Sequence, residues 1–309
     1  MTAQTILISG ASSGIGALAV RALGASGHTV FAGMRGVAGR NAPAAAELEA
    51  WAASHGAMVE PVELDVLSDA SVEAAVQHVE EARGGIDVLV HNAGHMALGP
   101  AEAFSPEQFA SLYDVNVLGC QRLNRAALPG MRSTGAGLLL WVSSASVRGA
   151  TPPYLAPYFA AKAAMESLAM STSLEVGLFG IETAIVVPGA YVAGTNHFTH
   201  ADSPTDAAVA AEYNREFPDL GRTVSAKLAA LTPPDSDVAD VASAIAAIVD
   251  AAPGERPFRV HIDPIDGGSE RVSDLVDRSR SEYYHRIGLP DLLDPVARRS
   301  SRQSRGTPA

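Results

Sequence analysis

The sequence predicts an α/β fold, a doubly wound and mostly parallel sheet with helices on both faces, in three layers. Three observations carry this. Short apolar runs and helix-period segments alternate along the chain, which places parallel strands under crossover helices. The first apolar run, residues 5–9, ends in a glycine-rich loop and leads directly into a helical pattern. Residues 86–90 form an almost unbroken apolar run, as a central strand buried on both faces requires.

The elements follow in order. After the strand at 5–9, the loop Gly10, Ala11, Ser12, Ser13, Gly14, Ile15, Gly16 opens a helix over 17–26. Strand, glycine loop and helix make the context in which backbone approaches a pyrophosphate and a helix N-terminus faces the anion. A second strand covers 28–33. At its end Met34 is not acidic and Arg35 is basic, which favours a 2′-phosphate over a free ribose hydroxyl; Arg40 lies close by. A helix at 43–54, a strand at 58–63 and a helix at 71–83 precede the run at 86–90. Asp65 and the triplet Asn92, Ala93, Gly94 fall at carboxyl ends of strands, where such sheets bind ligands.

Ser105 reads as an N-cap with Pro106 at the first helical position, opening one long helix to about residue 132. Asn116 sits inside it, against propensity. A fifth strand at 138–142 runs into Ser143, Ser144, Ala145 and Ser146. A helix at 160–175, a sixth strand at 181–187 and Pro188–Gly189 follow. Residues 190–234 are irregular apart from a helical stretch at 207–216, the place for a substrate-covering insert. A helix at 235–250, a last strand at 258–262 and a charged helix at 269–287 complete a single domain over 1–290. Residues 291–309, rich in Arg, Ser, Gly and Pro, read as a flexible tail.

Composition narrows the function. The 309 residues are 47% hydrophobic and 18% charged, with a formal net charge of −12, which speaks against a nucleic-acid surface. The single cysteine, Cys120, allows no internal disulfide and suits a reducing cytoplasm. No signal peptide or membrane span is expected, since Met1–Gln4 carries no basic run and no apolar stretch is long enough. The histidine pairs His91/His95 and His197/His200 have no third ligand nearby, so no metal is expected.

Tyr158 and Lys162 are spaced to share one helix face, a turn apart. A free phenol is a poor base near neutrality, and a neighbouring ammonium should lower its pKa. The pair then suits proton exchange with a carbonyl or alcohol oxygen. The spacing alone is common on ordinary helices, and its context decides.

With Gly10-x-x-x-Gly14-x-Gly16, Asn92-Ala93-Gly94, Ser144 with Tyr158-x-x-x-Lys162, and Pro188-Gly189 in that order, residues 5–262 resemble the single-domain branch of the short-chain dehydrogenase/reductase family, which has a Rossmann-type fold. The resemblance implies hydride transfer between NADP(H), rather than NAD(H), and a carbonyl or secondary alcohol. It implies Tyr158 as acid/base, Lys162 as its partner on the nicotinamide ribose, Ser144 on the substrate oxygen, and Asn116 positioning a water that links Lys162 to solvent. Gly10, Ser12, Ser13, Gly14, Ile15, Gly16, Arg35, Asp65, Asn92, Ala93, Gly94, Pro188 and Gly189 are implied at the cofactor. Relatives imply a homodimer or homotetramer pairing the helices that carry Asn116 and Lys162.

The sequence departs from the family pattern at five places, one of them a helix after the last strand that extends beyond the family minimum. Ser9 stands where threonine is usual, and His91 where the first asparagine of Asn-Asn-Ala-Gly is common. The gap from Ser144 to Tyr158 is one residue longer than usual, so Ser143 and Ser146 compete for the serine role. Ala193 takes the place of an expected threonine, leaving Thr195 as the nearest candidate for the nicotinamide carboxamide. The expected substrate is a medium-sized hydrophobic ketone, with Tyr154, Tyr191 and Phe198 lining its pocket. A second class remains open, a dinucleotide-sensing binding protein without turnover, although such a sensor has no need of the serine, tyrosine and lysine together.

Overall fold

A computed structural model describes residues 2–191, 194–195 and 198–293. His197, Ala193 and residues 294–309 of the expected tail lie outside the described residues. Seven parallel strands form one sheet in the order β3-β2-β1-β4-β5-β6-β7. They are β1 Thr5–Ser9, β2 Thr29–Met34, β3 Met58–Glu63, β4 Val88–His91, β5 Gly137–Val142, β6 Ile181–Pro188 and β7 Arg259–Ile262. The order reverses between β1 and β4, so their carboxyl ends open the crevice in which such sheets take a ligand.

Alternation along each strand sorts side chains between two cores. Ile6, Ile8, Val30, Val88, Val90, Leu138 and Leu140 pack on one face, against α1 Gly14–Ala25, α2 Ala42–His55 and α9 Ala239–Asp250. Leu7, Phe31, Leu89, Leu139 and Trp141 point to the other face, against α3 Asp69–Arg83, α5 Gly119–Thr134 and α6 Ala156–Gly177. Both faces being covered explains the unbroken apolar runs of β4 and β5. β3 alternates exposed and half-buried residues as far as Pro61, a residue an edge strand can carry.

The long helix expected at 105–132 is two helices. Ser105 caps α4 Pro106–Tyr113 through a capping box with Gln108, and a π-helical turn, Asp114–Leu118, separates α4 from α5. The cause is local. Asn116 Nδ2 donates to the Leu112 carbonyl four residues back at 2.9 Å, competing for an acceptor the backbone ladder would use. The ladder then widens, and the Gly119 N–H reaches Asp114 O.

The insert is more regular than its sequence. It holds the expected helix, α7 Ala207–Glu216, and a second one, α8 Leu220–Leu231, and neither contains a buried residue. Polar contacts hold it to the body: Tyr213 to Glu102 at 2.9 Å, and Gln108 to the Ser203 carbonyl at 2.9 Å and to Thr205 at 3.0 Å. After β7 comes α10 Ser269–Arg286, then a 3-10 turn, Pro290–Leu293. Residues 291–293, expected in the tail, lie within this turn. Among the described residues no helix is long and apolar enough to cross a membrane.

Candidate active site

The glycine loop owes its sequence to crowding. Gly10 has φ +71°, and a Cβ there would lie 2.7 Å from the Ala93 Cα. A Cβ on Gly16 would lie 2.2 Å from the Gly10 carbonyl oxygen and 2.5 Å from Asn92 Nδ2. Ser12 and Gly14 are partly exposed and Ser13 is exposed. Ser13 precedes α1 without a side-chain capping bond, which leaves the first-turn N–H groups to an outside anion. An uncapped helix start beside two close-approach glycines fits the pyrophosphate of a dinucleotide.

A buried hydroxyl ties this loop to the next strand end. Ser9 Oγ donates to Val90 O at 3.3 Å and accepts the N–H groups of Asn92 and Ala93, each at 3.1 Å. Asn92 Nδ2 donates to the carbonyls of Ser9 and Gly10 at 2.9 and 3.0 Å. The side chain of Asn92 is thus spent on the architecture of the loop. Asp65 behaves likewise, its Oδ1 accepting the Leu67 N–H at 3.0 Å. Arg35 and Arg40 are exposed at the end of β2, where Glu63 accepts the N–H groups of Gly36 and Val37 at 2.7 and 2.8 Å. Sequence reasoning missed Glu63, which fixes the loop presenting Arg35.

At the carboxyl ends of β5 and β6 a cavity of about 160 Å³ opens. Ser144, Tyr158 and Lys162 line it together with Ile15, Asn92, Pro188, Gly189 and Thr195. Its apolar walls include Met96, Leu155, Phe159, Tyr191, Phe198 and Leu228. Tyr191 is buried and Phe198 is 46% exposed at the rim. Tyr154 is not among the lining residues; it sits at φ +73° with its ring against Gly221 of α8 and its hydroxyl buried without a partner. Sequence reasoning missed two walls: Leu228, on the apolar stripe of helix α8, and Ile265, from the loop between β7 and α10.

The serines separate by their partners. Ser143 Oγ is bound to Glu166 Oε2 at 2.5 Å. Ser144, extended at φ −162°, accepts the Ser146 N–H at 3.2 Å and stands close enough to Tyr158 to draw its pKa down. Ser146 Oγ is buried without a partner. Of the three, Ser144 is the one that acts on the phenol.

Electrostatics depart from the expectation that Lys162 lowers the Tyr158 pKa. Burial pushes the phenol up to about 12, and only Ser144 works the other way. Burial likewise pulls the Lys162 ammonium down to about 8, opposed by Cys120 and Glu166. Desolvation of the charged forms outweighs any mutual help in this protein without ligand. Lys162 Nζ donates to Val142 O at 2.9 Å. Asn116 uses Nδ2 on the carbonyls of Leu112 and His95 and accepts the His95 N–H at 3.4 Å; Gly94 lies against both its Oδ1 and the Lys162 ammonium. Cys120 is buried, and its thiol is pushed up to about 12.

A parallel sheet with an uncapped glycine loop at its switch point and a tyrosine, lysine and serine in one cavity defines a Rossmann-type fold with a candidate dinucleotide site. The chain belongs to the short-chain dehydrogenase/reductase family: the family model described as short chain dehydrogenase matches residues 4–204. It is 38% identical over 195 residues to human 17-beta-hydroxysteroid dehydrogenase type 1, a match spanning 61% of this chain and 57% of that enzyme. The match thus spans little more than half the length of that relative. Among solved structures, a short-chain dehydrogenase from Streptomyces avermitilis is 27% identical, with a TM-score of 0.71 over 93% of this chain and 98% of that one. An alcohol dehydrogenase from the archaeon Thermococcus sibiricus, solved with 5-hydroxy-NADP, is 26% identical, with a TM-score of 0.66 over 85% and 97% of the two chains.

Proposed function

We propose that this protein is an NADP(H)-dependent ketone reductase acting on a medium-sized hydrophobic carbonyl compound. The observation that carries this reading is the convergence of Ser144, Tyr158 and Lys162 on one cavity with apolar walls. Solved relatives that hold NADP-type ligands support the choice of cofactor, as does exposed Arg35 at the end of β2. In this reading Gly10, Ser12 to Gly16, Asp65, Asn92 to Gly94, Pro188, Gly189 and Thr195 bind the cofactor.

A bound nicotinamide dinucleotide supplies the hydride. The remaining work falls to side chains. Ser144 and Tyr158 donate hydrogen bonds to the carbonyl oxygen and fix its orientation. Tyr158 passes its proton to that oxygen as negative charge develops there. A phenol pushed up to about 12 is protonated at neutral pH, the state a proton donor needs. The Lys162 ammonium stabilises the tyrosinate left behind, and Asn116 holds the segment past which its proton is replaced. The exposed apolar residues Tyr113 and Leu118 flank the π-helical turn, which supports a homodimer or homotetramer through these helices. The lone, buried cysteine supports a reducing, cytoplasmic setting.

The test is NADPH oxidation with acetophenone, a decalone and a 17-ketosteroid, by wild type and by Tyr158→Phe. A loss of at least a hundredfold in kcat for Tyr158→Phe is expected. Equal rates in the two proteins would remove Tyr158 from the mechanism. Tight NADPH binding with no turnover of any ketone would favour a sensor.

A further inference from the structure

Glu166 is a carboxylate only 1% exposed, one helical turn beyond Lys162 on α6. Its partners come from three other segments. Oε2 holds the Ser143 hydroxyl at 2.5 Å. Oε1 receives Arg148 at 3.1 Å and Arg259 of β7 at 2.6 Å. Arg259 is 5% exposed and grips Asp277 of α10 at 2.8 and 3.2 Å. A continuous chain of charge-assisted hydrogen bonds therefore runs from α10 to the residue beside Ser144.

Stability alone gives little reason for such a chain. Removing charges from water costs about as much as their attraction returns, and apolar residues of similar volume commonly do as well. The location is informative instead. Glu166 is joined to the strand end that delivers Ser144 and shares a helix face with Lys162. The relay also ends on α10, and the β7–α10 loop supplies Ile265 to the cavity wall.

We propose that Glu166 is a positioning residue, holding the Ser143–Ser144 strand end and the Lys162 ammonium in place and linking both, through Arg259 and Asp277, to the C-terminal helix. The proposal rests on the roles assigned above to Ser144 and Lys162. The charged and polar groups around Lys162 are Tyr158 and Glu166 on α6, Cys120 on α5, Asn116 in the π-helical turn and the Val142 carbonyl on β5. Of these, Cys120 and Glu166 favour the charged lysine, and the Cys120 thiol is neutral near pH 7. Glu166 is then the carboxylate that sustains the ammonium.

The sequence offers a direct readout, because its lysines are only Lys162 and Lys227. Protein carrying isotope-labelled lysine gives two side-chain signals by NMR, and Lys227→Arg assigns them. In Glu166→Gln, the Lys162 midpoint is expected to fall by about one pH unit. Glu166→Asp, which keeps the charge, returns it toward the wild-type value. Asp277→Asn frees Arg259 to compete for Glu166 and lowers the midpoint by a smaller amount. With an active ketone, kcat falls about tenfold in Glu166→Gln with little change in KM, and its alkaline limb moves with the NMR midpoint. A folded Glu166→Gln with an unmoved Lys162 midpoint overturns the proposal. Should that variant fail to fold, Asp277→Asn, at a partly exposed side chain, decides: an unmoved midpoint there overturns the link to α10. The titration needs no turnover, so failure to find a ketone would refute the proposed reaction without touching this result.

Discussion

Replacing Lys162 by methionine should inactivate the protein and stabilise it at neutral pH. The ammonium titrates near 8 in the fold against an ordinary 10.5. At about 1.4 kcal/mol per pKa unit, the charged form costs the native state about 3 kcal/mol below pH 8. Methionine removes that cost but leaves Val142 O without its donor, a loss of about 1–2 kcal/mol. The net expectation at pH 7 is a gain of roughly 1–2 kcal/mol. The sign of the pH dependence follows from linkage. Between pH 8 and 10.5 the unfolded chain binds the proton that the native lysine has released, so wild type gains stability as pH rises. Methionine has nothing to titrate. Relative to Lys162→Met, wild type should therefore recover about 3 kcal/mol between pH 7 and pH 11 and become the more stable of the two. Titrating groups remote from residue 162 are common to both proteins and cancel in the difference. Urea melts of the ligand-free proteins at pH 7, 9 and 10.5 measure it. Parallel pH profiles would show that Lys162 is not desolvated in solution and would refute the reasoning.

Other perturbations have equally definite outcomes. Burial pulls the His91 ring down to about 4 against 6.5, so the native state loses about 3 kcal/mol as pH falls from 6.5 to 4; His91→Asn should flatten this acid limb in pH-dependent melts. Gly16→Ala places a methyl into the Gly10 carbonyl and Asn92 and should cost more than about 2 kcal/mol, with loss of NADPH-induced stabilisation in a thermal-shift assay. Arg35→Glu should weaken NADPH at least tenfold, about 1.4 kcal/mol, and leave NADH little changed; equal effects on both would separate Arg35 from the 2′-phosphate.

What could be read from the chain was what depends on short spacing. The glycine loop, Asn92 and the Tyr158–Lys162 pair each fit within a few residues, and strand alternation placed them at carboxyl ends. Strand and helix bounds fell within a few residues of those read from the sequence, and α3 starts two residues early, where Ser68 caps it by accepting the Ser71 N–H. What escaped reading depends on distance or on solvent. The π-helical turn arises from one asparagine winning a carbonyl from the backbone, which propensity scales average away. Helix α8 carries Leu220, Val224, Leu228 and Leu231 at helical spacing, a stripe that the glycine and threonine between them obscure. The ordering of the Ser144 and Ser143 roles rests on Glu166, twenty-three residues from Ser143, and the Glu166–Arg259 contact spans ninety-three. The sign of the Tyr158 shift was misread for the same reason. Spacing shows a neighbouring cation, whereas desolvation belongs to the assembled interior.

The insert carries a consequence for altering this protein. Because α7 and α8 bury no residue of their own, the wall that Leu228 gives the cavity can be rewritten without disturbing either core. Cavity shape and folding are thereby uncoupled: a library confined to residues 207–231 samples new cavities while the sheet, the glycine loop and the Tyr158–Lys162 pair keep their full support.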